Sequence, residues 1–274
     1  MIKYVEFTPS PFLLPFVECI WSLRSHSRYL KKRELIIPGG RIELIFNFSD
    51  GVDWIDSKDL STVSSHAGAY LLGPRNRHFF VEQKGIIDMV GVRFRHGGLA
   101  SYTQMPMSML MNEVVFQDQV FGKDVDALMY RLLETVDSKQ HIILIEDFLA
   151  KRFQAEPRTV KTFQLISLVK GCESLSSFKT LGEKTGVHYK KLERVFAQYT
   201  GYSPKNFSRV MRFYKALREM KESSTSLTDI GLNQGYYDQP HFIRDFKAFT
   251  GKSPTQFHAE NPVIANLLLQ SQNV

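Results

Sequence analysis

The pattern of apolar and polar positions divides the chain into a strand-like part and a helix-like part. Within residues 1–105 short apolar runs lie between Gly and Pro residues, at 69–72, 79–81 and 86–94. A further run alternates with period two and ends at the turn signal Asp50-Gly51; it places Ile42, Leu44, Phe46 and Phe48 opposite Glu43, Ile45 and Asn47. This part is predicted to form a β-barrel or a double-sheet roll.

After Pro106 the apolar period lengthens to that of a helix. The repeating positions are Val125, Leu128 and Leu132, followed by Ile142, Ile145, Phe148 and Leu149. We expect residues 106–154 to form linker helices that either dimerise the protein or cap the barrel. Residues 155–262 are then a C-terminal helical domain that begins at Glu156-Pro157-Arg158, and residues 263–274 are a tail.

The C-terminal domain contains one helical unit twice. The first copy contains Leu181-Gly182, Gly186, an Arg at 194 and Thr200-Gly201-Tyr202-Ser203-Pro204. The second copy contains, in the same order, Ile230-Gly231, Gly235, an Arg at 244 and Thr250-Gly251-Lys252-Ser253-Pro254. Gly182 and Gly231 permit a close helix crossing, and Gly186 and Gly235 supply the positive φ of a tight turn. Each unit is therefore predicted to be a helix-turn-helix.

The second helix of each unit has one apolar face and one polar face. In the first copy Leu192, Val195, Phe196 and Tyr199 point inward, and in the second copy Phe242, Phe246 and Phe249 do so, with Asp238 as N-cap. The outward residues are Lys190, Lys191, Glu193 and Arg194 in the first copy and Gln239, His241 and Arg244 in the second. These residue types hydrogen-bond base edges and phosphates, although Arg194 and Arg244 could instead pair with Glu193 or Asp245.

Between the copies, Pro204 to about Met220 is predicted to form a helix roughly 25 Å long. Its Arg209 and Lys215 are candidates for phosphate contacts. Such a helix would hold the two reading helices about one DNA turn, roughly 34 Å, apart. The chain is then expected to read two successive major-groove half-sites.

Residues 176–259 resemble the DNA-binding domain of AraC/XylS-type bacterial transcription regulators. The resemblance rests on the paired Thr-Gly-x-Ser-Pro-x-x-Phe segments and on Gly235-Tyr236-Tyr237-Asp238-Gln239-Pro240-His241-Phe242. It implies base contacts from the outward residues named above. Gly182 and Gly231 depart from the usual Ala of the family, and Glu193 places an acid on the reading face. Residues 37–45, 91–98 and 121–122 resemble the cupin-like N-terminal domain of an uncharacterised subgroup, with His96 where Pro is more usual.

Charge supports this assignment. Residues 155–262 contain 17 Lys and Arg against 10 Asp and Glu, whereas residues 1–154 contain 18 of each. The positive charge of the chain is thus concentrated in the repeat-bearing part, as expected for a nucleic-acid-binding domain joined to a sensor. Arg41, Arg93 and Arg95 on the predicted strands could meet an anionic effector or face solvent.

Other classes of protein are less well supported. A cupin-like enzyme would need clustered metal ligands, but His26, His66, His78, His96 and His141 are scattered, and neither Cys19 nor Cys172 lies in a methyl-acceptor motif. The sequence shows neither a secretory leader nor an apolar run of membrane-spanning length. We therefore expect a cytoplasmic, non-enzymatic α+β regulator without metal, cofactor or membrane partner. A constitutive DNA-binding protein without effector is the alternative. Expected partners are double-stranded promoter DNA and a second copy of the chain, with a small-molecule effector and RNA polymerase left open.

Overall fold

The computed structural model describes residues 2–25, 33–60, 62–83, 85–154, 180, 183, 186, 188–223 and 225–262. The expected boundary at residue 155, Gly182, Cys172 and the tail lie outside these residues. Within them the chain has a sheet-rich N-terminal part and a helical C-terminal part, as the sequence predicts. None of the described helices combines the length and apolar character that crossing a membrane requires.

Eight strands form one antiparallel sheet in the described N-terminal part. They are β1 (Ile2–Phe7), β2 (Val17–Ser25), β3 (Arg33–Ile36), β4 (Ile42–Asp56), β5 (Thr62–Leu72), β6 (Phe79–Gln83), β7 (Asp88–Phe94) and β8 (Val114–Phe116). Their order is β1-β2-β7-β4-β5-β8, and β6 pairs with both β3 and β4. The sheet is therefore a bent roll, in agreement with the predicted class.

Strand β4 corrects one detail of the prediction. Asp50-Gly51 does not end the strand as a hairpin turn, because β4 continues to Asp56. The register shifts between Asn47 and Val52, where five steps of β4 correspond to two steps of β5 from Gly68 to His66. This bulge lets β4 leave β7 and pair with β6 over its second half.

Both faces of β4 are buried, so its alternation separates two cores and does not separate core from solvent. Leu44 and Phe46 belong to an outer core that also contains residues of the following helices. Ile45 and Trp54 belong to an inner core enclosed by the bent sheet. Even Glu43 and Asn47, on the polar side of the pattern, are only 5% and 2% exposed.

Three helices cover the outer core: α1 (Asp118–Phe121), α2 (Asp124–Leu133) and α3 (Ser138–Arg152). Leu128, Ile145 and Leu149 are buried against the sheet, so α2 and α3 do cap the roll. Residues 106–117 are not helical throughout, however, because β8 lies among them and pairs with β5.

Of the two alternatives for Arg41, Arg93 and Arg95, contact with an anionic effector or exposure to solvent, exposure to solvent is wrong for Arg93. Its side chain is buried, with Nε donating to Glu43 Oε1 over 2.7 Å and Nη1 to Glu6 Oε1 over 2.9 Å. Arg41 pairs with Glu18, and Arg95 donates to the carbonyl oxygen of Leu14. The buried carboxylates explain why a strand inside the roll can contain an arginine.

The described C-terminal part contains α4 (Tyr189–Thr200), α5 (Pro204–Glu222), α6 (Leu227–Asn233), α7 (Gln239–Thr250) and α8 (Pro254–Glu260). The long helix α5 joins the two units. Phe207, near its start, packs against Phe196 of α4, and Phe213, further along, packs against Phe246 and Phe249 of α7. One aromatic core therefore holds both units on a single helix.

Candidate nucleic-acid interface

The second helix-turn-helix unit consists of α6, a turn and α7. Ser226 caps α6, and the turn contains Gly235 at φ 76°. A Cβ at Gly231 would lie 3.3 Å from Cβ of Phe242, so the two helices cross closely there. The crossing and the turn thus occur at the glycines that the sequence predicts.

The cap and the inward face of α7 also match the prediction. Asp238 Oδ1 accepts a hydrogen bond of 2.7 Å from the backbone N–H of His241. Phe242, Phe246 and Phe249 are buried. Because these aromatic side chains occupy one side, the polar residues between them are held on the other.

The polar face of α7 presents Gln239, His241 and Arg244. Arg244 is exposed, and Gln239 and His241 are half-buried. The backbone N–H of Tyr237 donates to Nδ1 of His241 over 3.5 Å, and the Tyr236 ring packs against the imidazole at 5.2 Å. In the neutral tautomer in which Nδ1 accepts this bond, the ring proton lies on Nε2.

In the first unit Gly186 has the positive φ of 67° expected at the turn. Helix α4 starts after His188, whose Nδ1 accepts from the backbone N–H of Lys190, a cap that the sequence pattern did not indicate. Leu192 and Phe196 are buried, whereas Val195 and Tyr199 are only half-buried. The apolar face of α4 is therefore narrower than predicted.

The candidate reading residues of α4 lie opposite Leu192 and Phe196. Lys190, Lys191 and Arg194 are exposed and Glu193 is half-buried. Burial, and then the Glu193 carboxylate, raise the pKa of the neighbouring Tyr189. The face as a whole presents three cations and one acid.

Arg194 and Arg244 occupy equivalent positions. Each lies five residues after the first residue of its helix, Tyr189 in α4 and Gln239 in α7. Among the described residues, neither makes a salt bridge to Glu193 or Asp245. The structural role considered for the two arginines is thus absent from this part of the chain.

Asp245 has a different partner. Arg209 Nη2 of α5 donates to Asp245 Oδ1 over 2.6 Å, and its guanidinium lies 5.3 Å from the centre of the Phe249 ring. Arg212 lies 3.9 Å from the second carboxylate oxygen and 4.6 Å above the Tyr236 ring. Arg209 therefore has a structural role between α5 and α7, whereas Lys215 is exposed on α5.

Sequence reasoning missed a third element, the loop of residues 73–78 between β5 and β6. The Tyr202 hydroxyl donates to the Arg75 carbonyl oxygen over 2.5 Å. A Cβ at Gly201 would lie 2.5 Å from Cγ of Pro74, and a Cβ at Gly251 would lie 2.8 Å from Nε2 of His78. One loop therefore packs on the turns that follow α4 and α7. In the sequence, this loop is indicated only by the turn-forming pair Gly73-Pro74.

His96, which stands where the subgroup more usually has Pro, lies where the N-terminal part contacts the C-terminal helices. His96 is buried, and its ring packs edge-on against Phe207 of α5 at 4.8 Å. Arg41 Nη1 donates to His96 Nε2 over 2.7 Å. With Leu35 and Ile37 also in the C-terminal core, the N-terminal part contacts α5 along its first half.

Two family models match the chain. Residues 5–116 match a domain of unknown function, DUF6597, and residues 181–260 match a helix-turn-helix domain. The two matched ranges coincide with the sheet-rich part and with the two helix-turn-helix units.

Individual proteins are similar over different lengths. An uncharacterised HTH-type transcriptional regulator of Haemophilus influenzae is 26% identical over 213 residues, 73% of this chain and 70% of that protein. The HTH-type transcriptional regulator ArgR of Pseudomonas aeruginosa is 31% identical over 70 residues, 26% of this chain and 21% of that protein. The structure of ToxT from Vibrio cholerae aligns with a TM-score of 0.48 at 9% identity, covering 94% of this chain and 97% of ToxT.

Proposed function

The chain belongs to the AraC-type helix-turn-helix transcription regulators, and from this premise we propose that it binds promoter DNA with α4 and α7 in two successive major grooves. The proposed base contacts come from Lys190, Lys191, Glu193 and Arg194 in the first groove and from Gln239, His241 and Arg244 in the second. Arginine would donate to guanine O6 and N7, and Gln239 would pair with adenine.

One observation carries this proposal: Arg194 and Arg244 are exposed at the same position of two helices whose opposite faces are buried. A single basic helix face is commonly a solvated surface. Two such faces, each behind a tight turn and each with its arginine at the same place, are better explained by a repeated reading function.

The length of α5 supports simultaneous reading. Its 19 residues span roughly 28 Å, and aromatic packing at Phe207, near its start, and at Phe213, in its middle, fixes the two units to it. The loop of residues 73–78 adds a second brace between them. Two reading helices on such a frame suit half-sites about one helical turn apart.

Contacts to phosphate are proposed for Lys215 and for Arg209. Lys215 is exposed on α5, where a phosphate could approach it. Arg209 is already paired with Asp245, so a phosphate would have to compete with a buried carboxylate.

Control of DNA binding is proposed to come from the N-terminal domain, by a small-molecule effector or by dimerisation. A homodimer would use the outer face of α2 and α3, where Tyr130, Leu133, Val136 and Ile143 are all more than half exposed. Effector or partner binding would shift the population between DNA-competent and incompetent arrangements. The protein is proposed to act in the cytoplasm, without catalysis, and RNA polymerase is its proposed partner at promoters.

The test is selection of bound duplexes from a random DNA pool by the full-length protein and by its R194A and R244A variants. We expect two enriched half-sites about one helical turn apart, with each variant losing information in a different half-site. Recovery of bound duplexes that share no common sequence would contradict base reading and favour the constitutive DNA-binding alternative.

A further inference from the structure

The inner face of the sheet lines a partly open cavity that contains none of the candidate DNA-contacting residues. Its volume is about 90 Å³, and most of its wall is apolar. Trp21, Trp54, Ile45, Leu72 and Met89 are among the lining residues. These are the inner-core residues of β2, β4, β5 and β7, so the cavity lies at the centre of the N-terminal domain.

One cationic side chain in the cavity wall, Arg75, has no hydrogen-bonded counter-ion among the described residues; the carboxylate of Glu43 acts on it only through space. Arg75 is 7% exposed, and its guanidinium makes no hydrogen bond within the described part of the chain. Arg93, which also lines the cavity, is satisfied by Glu43 and Glu6. A buried charge without a hydrogen-bonded partner is costly, and burial lowers the pKa of Arg75 for this reason.

The cavity wall also contains two acids, Glu43, which pairs with Arg93, and Glu34 of β3, but two of its buried donors are unmet and suit an acceptor-bearing ligand. The Nε of Arg75 and the Nε1 of Trp21 are both buried without an acceptor among the described residues. A guanidinium binds the oxygens of a carboxylate or a phosphate in a bidentate manner, and the small, mostly apolar cavity favours the less strongly charged carboxylate. The surrounding aliphatic and aromatic wall favours an apolar body behind that carboxylate.

The size of the cavity limits that body. A cavity of roughly 150 Å³ holds benzene, and this one is smaller. A ligand on the order of six non-hydrogen atoms or fewer would fit without rearrangement. The chemistry and the volume together favour a short aliphatic monocarboxylate over a long-chain acid.

Arg75 also lies at the junction with the DNA-binding domain. Its carbonyl oxygen accepts the Tyr202 hydroxyl, while Pro74 and His78 of the same loop pack on the turns after α4 and α7. A ligand that engages the Arg75 guanidinium would therefore act on a loop that touches both reading units.

We propose that the cavity binds a short aliphatic monocarboxylate through the Arg75 guanidinium, and that the loop of residues 73–78 transmits its occupancy to both helix-turn-helix units. The ligand site is independent of DNA, whereas the transmission rests on the regulator function proposed above.

Ligand binding in the cavity can be followed by tryptophan fluorescence, because the two tryptophans of the chain, Trp21 and Trp54, both line the cavity. Tryptophan fluorescence of the full-length protein is titrated with butyrate, butyramide and octanoate. We expect saturable butyrate binding about tenfold or more tighter than that of butyramide, which has the same shape without the charge. Equal binding of butyrate and butyramide, or tighter binding of octanoate, would overturn the assignment.

Two substitutions locate the site. Arg75→Met removes the charge but keeps an apolar stem, and it should weaken butyrate about tenfold or more. Arg75→Lys, which retains a cation without the planar fork, should bind with intermediate affinity and serves if the first variant does not fold. Unchanged butyrate affinity in a folded variant would exclude Arg75 as the receptor.

Transmission is tested on a DNA sequence selected by the wild-type protein. Butyrate should change wild-type DNA affinity, and Tyr202→Phe should bind butyrate normally while losing most of that change. A full butyrate effect in Tyr202→Phe would refute this route. Failure of every form to select DNA would defeat the proposed function, whereas the fluorescence titration would still decide the ligand site.

Discussion

The Tyr202 hydroxyl donates a hydrogen bond of 2.5 Å to the backbone carbonyl oxygen of Arg75, joining two residues 127 positions apart in the chain. Tyr202 belongs to the turn after the first reading helix, and it is buried. The bond therefore attaches the DNA-binding domain to the loop beside the cavity of the N-terminal domain.

Tyr202→Phe is expected to lower the free energy of unfolding by about 0.5–1.5 kcal/mol, because the buried carbonyl of Arg75 loses its donor. Denaturant unfolding of the full-length protein measures the change. Tyr130→Phe is the matched control, since Tyr130 is 71% exposed, and it should behave like the wild type. Equal stability of Tyr202→Phe and the control would mean that this bond contributes nothing to docking.

Arg194→Ala and Arg244→Ala should each cost about 1–3 kcal/mol of binding free energy on the selected DNA site and relax specificity at one half-site. The reason is the loss of bidentate donors to a base edge. Binding is measured by fluorescence anisotropy on selected and scrambled duplexes, with Arg131→Ala of α2 as the control. A loss of the same size on scrambled DNA would assign these arginines to phosphate instead.

Substitutions of Arg209 and Lys215 should affect different measurements: protein stability for Arg209 and the salt dependence of DNA binding for Lys215. Arg209→Ala leaves the buried Asp245 carboxylate with Arg212 at 3.9 Å, and the partial exposure of Arg209 moderates the penalty. We expect a decrease of about 1–2 kcal/mol in the free energy of unfolding. Lys215→Ala should instead flatten the salt dependence of DNA binding by about 0.9 in log–log slope.

Thermal unfolding and salt titrations of both variants check this pair. The structural assignment of Arg209 fails if its variant is as stable as the wild type. An unaltered salt slope for Lys215→Ala would place that side chain away from the DNA.

Arg75→Met should stabilise the ligand-free protein by about 1–3 kcal/mol, because it removes a buried charge that has no hydrogen-bonded partner. Urea unfolding in ligand-free buffer gives the value. The matched substitution Arg93→Met should be destabilising, since it leaves Glu43 and Glu6 without their cation. A destabilised Arg75→Met variant would indicate that Arg75 holds the apo structure together.

Stability should fall on acidification partly through His78. Burial lowers the pKa of His78 below its ordinary value of 6.5, against a hydrogen bond with the Ala248 backbone and the charge of Asp56, and Lys252 lowers it further. The unfolded chain therefore takes up the proton first, so stability is lost as the pH falls from the ordinary value towards the folded one. His78→Gln should reduce the difference in unfolding free energy between about pH 7.5 and about pH 5.5. A pH dependence equal to that of the wild type would show that His78 does not titrate in this way.

The helix-turn-helix units could be predicted in detail because their signals are local. Ser203, Asp238 and Ser253 cap their helices through bonds to residues three positions ahead, and Gly235 adopts its positive φ within its own turn. Such interactions depend on neighbours in the chain, so a repeated pattern identifies them without knowledge of the fold.

The partner of each charged side chain could be predicted less well from the sequence. Asp245 lies beside Arg244 in the chain but pairs with Arg209 of α5, and Val195 occupies the equivalent place in the first unit. Nothing in the pattern of one helix indicates which face of a neighbouring helix will meet it.

The sequence by itself determined the class of the protein: two copies of one DNA-binding unit, with the positive charge beside them, behind a sheet-rich domain. Only the tertiary structure decided that Asp50-Gly51 is a bulge, that Arg93 is buried, and that Arg75 lies between a cavity and Tyr202. The physical reason is distance along the chain, because local capping and turn energies are encoded by adjacent residues. Burial and ion pairing depend on which remote segments the bent sheet brings together.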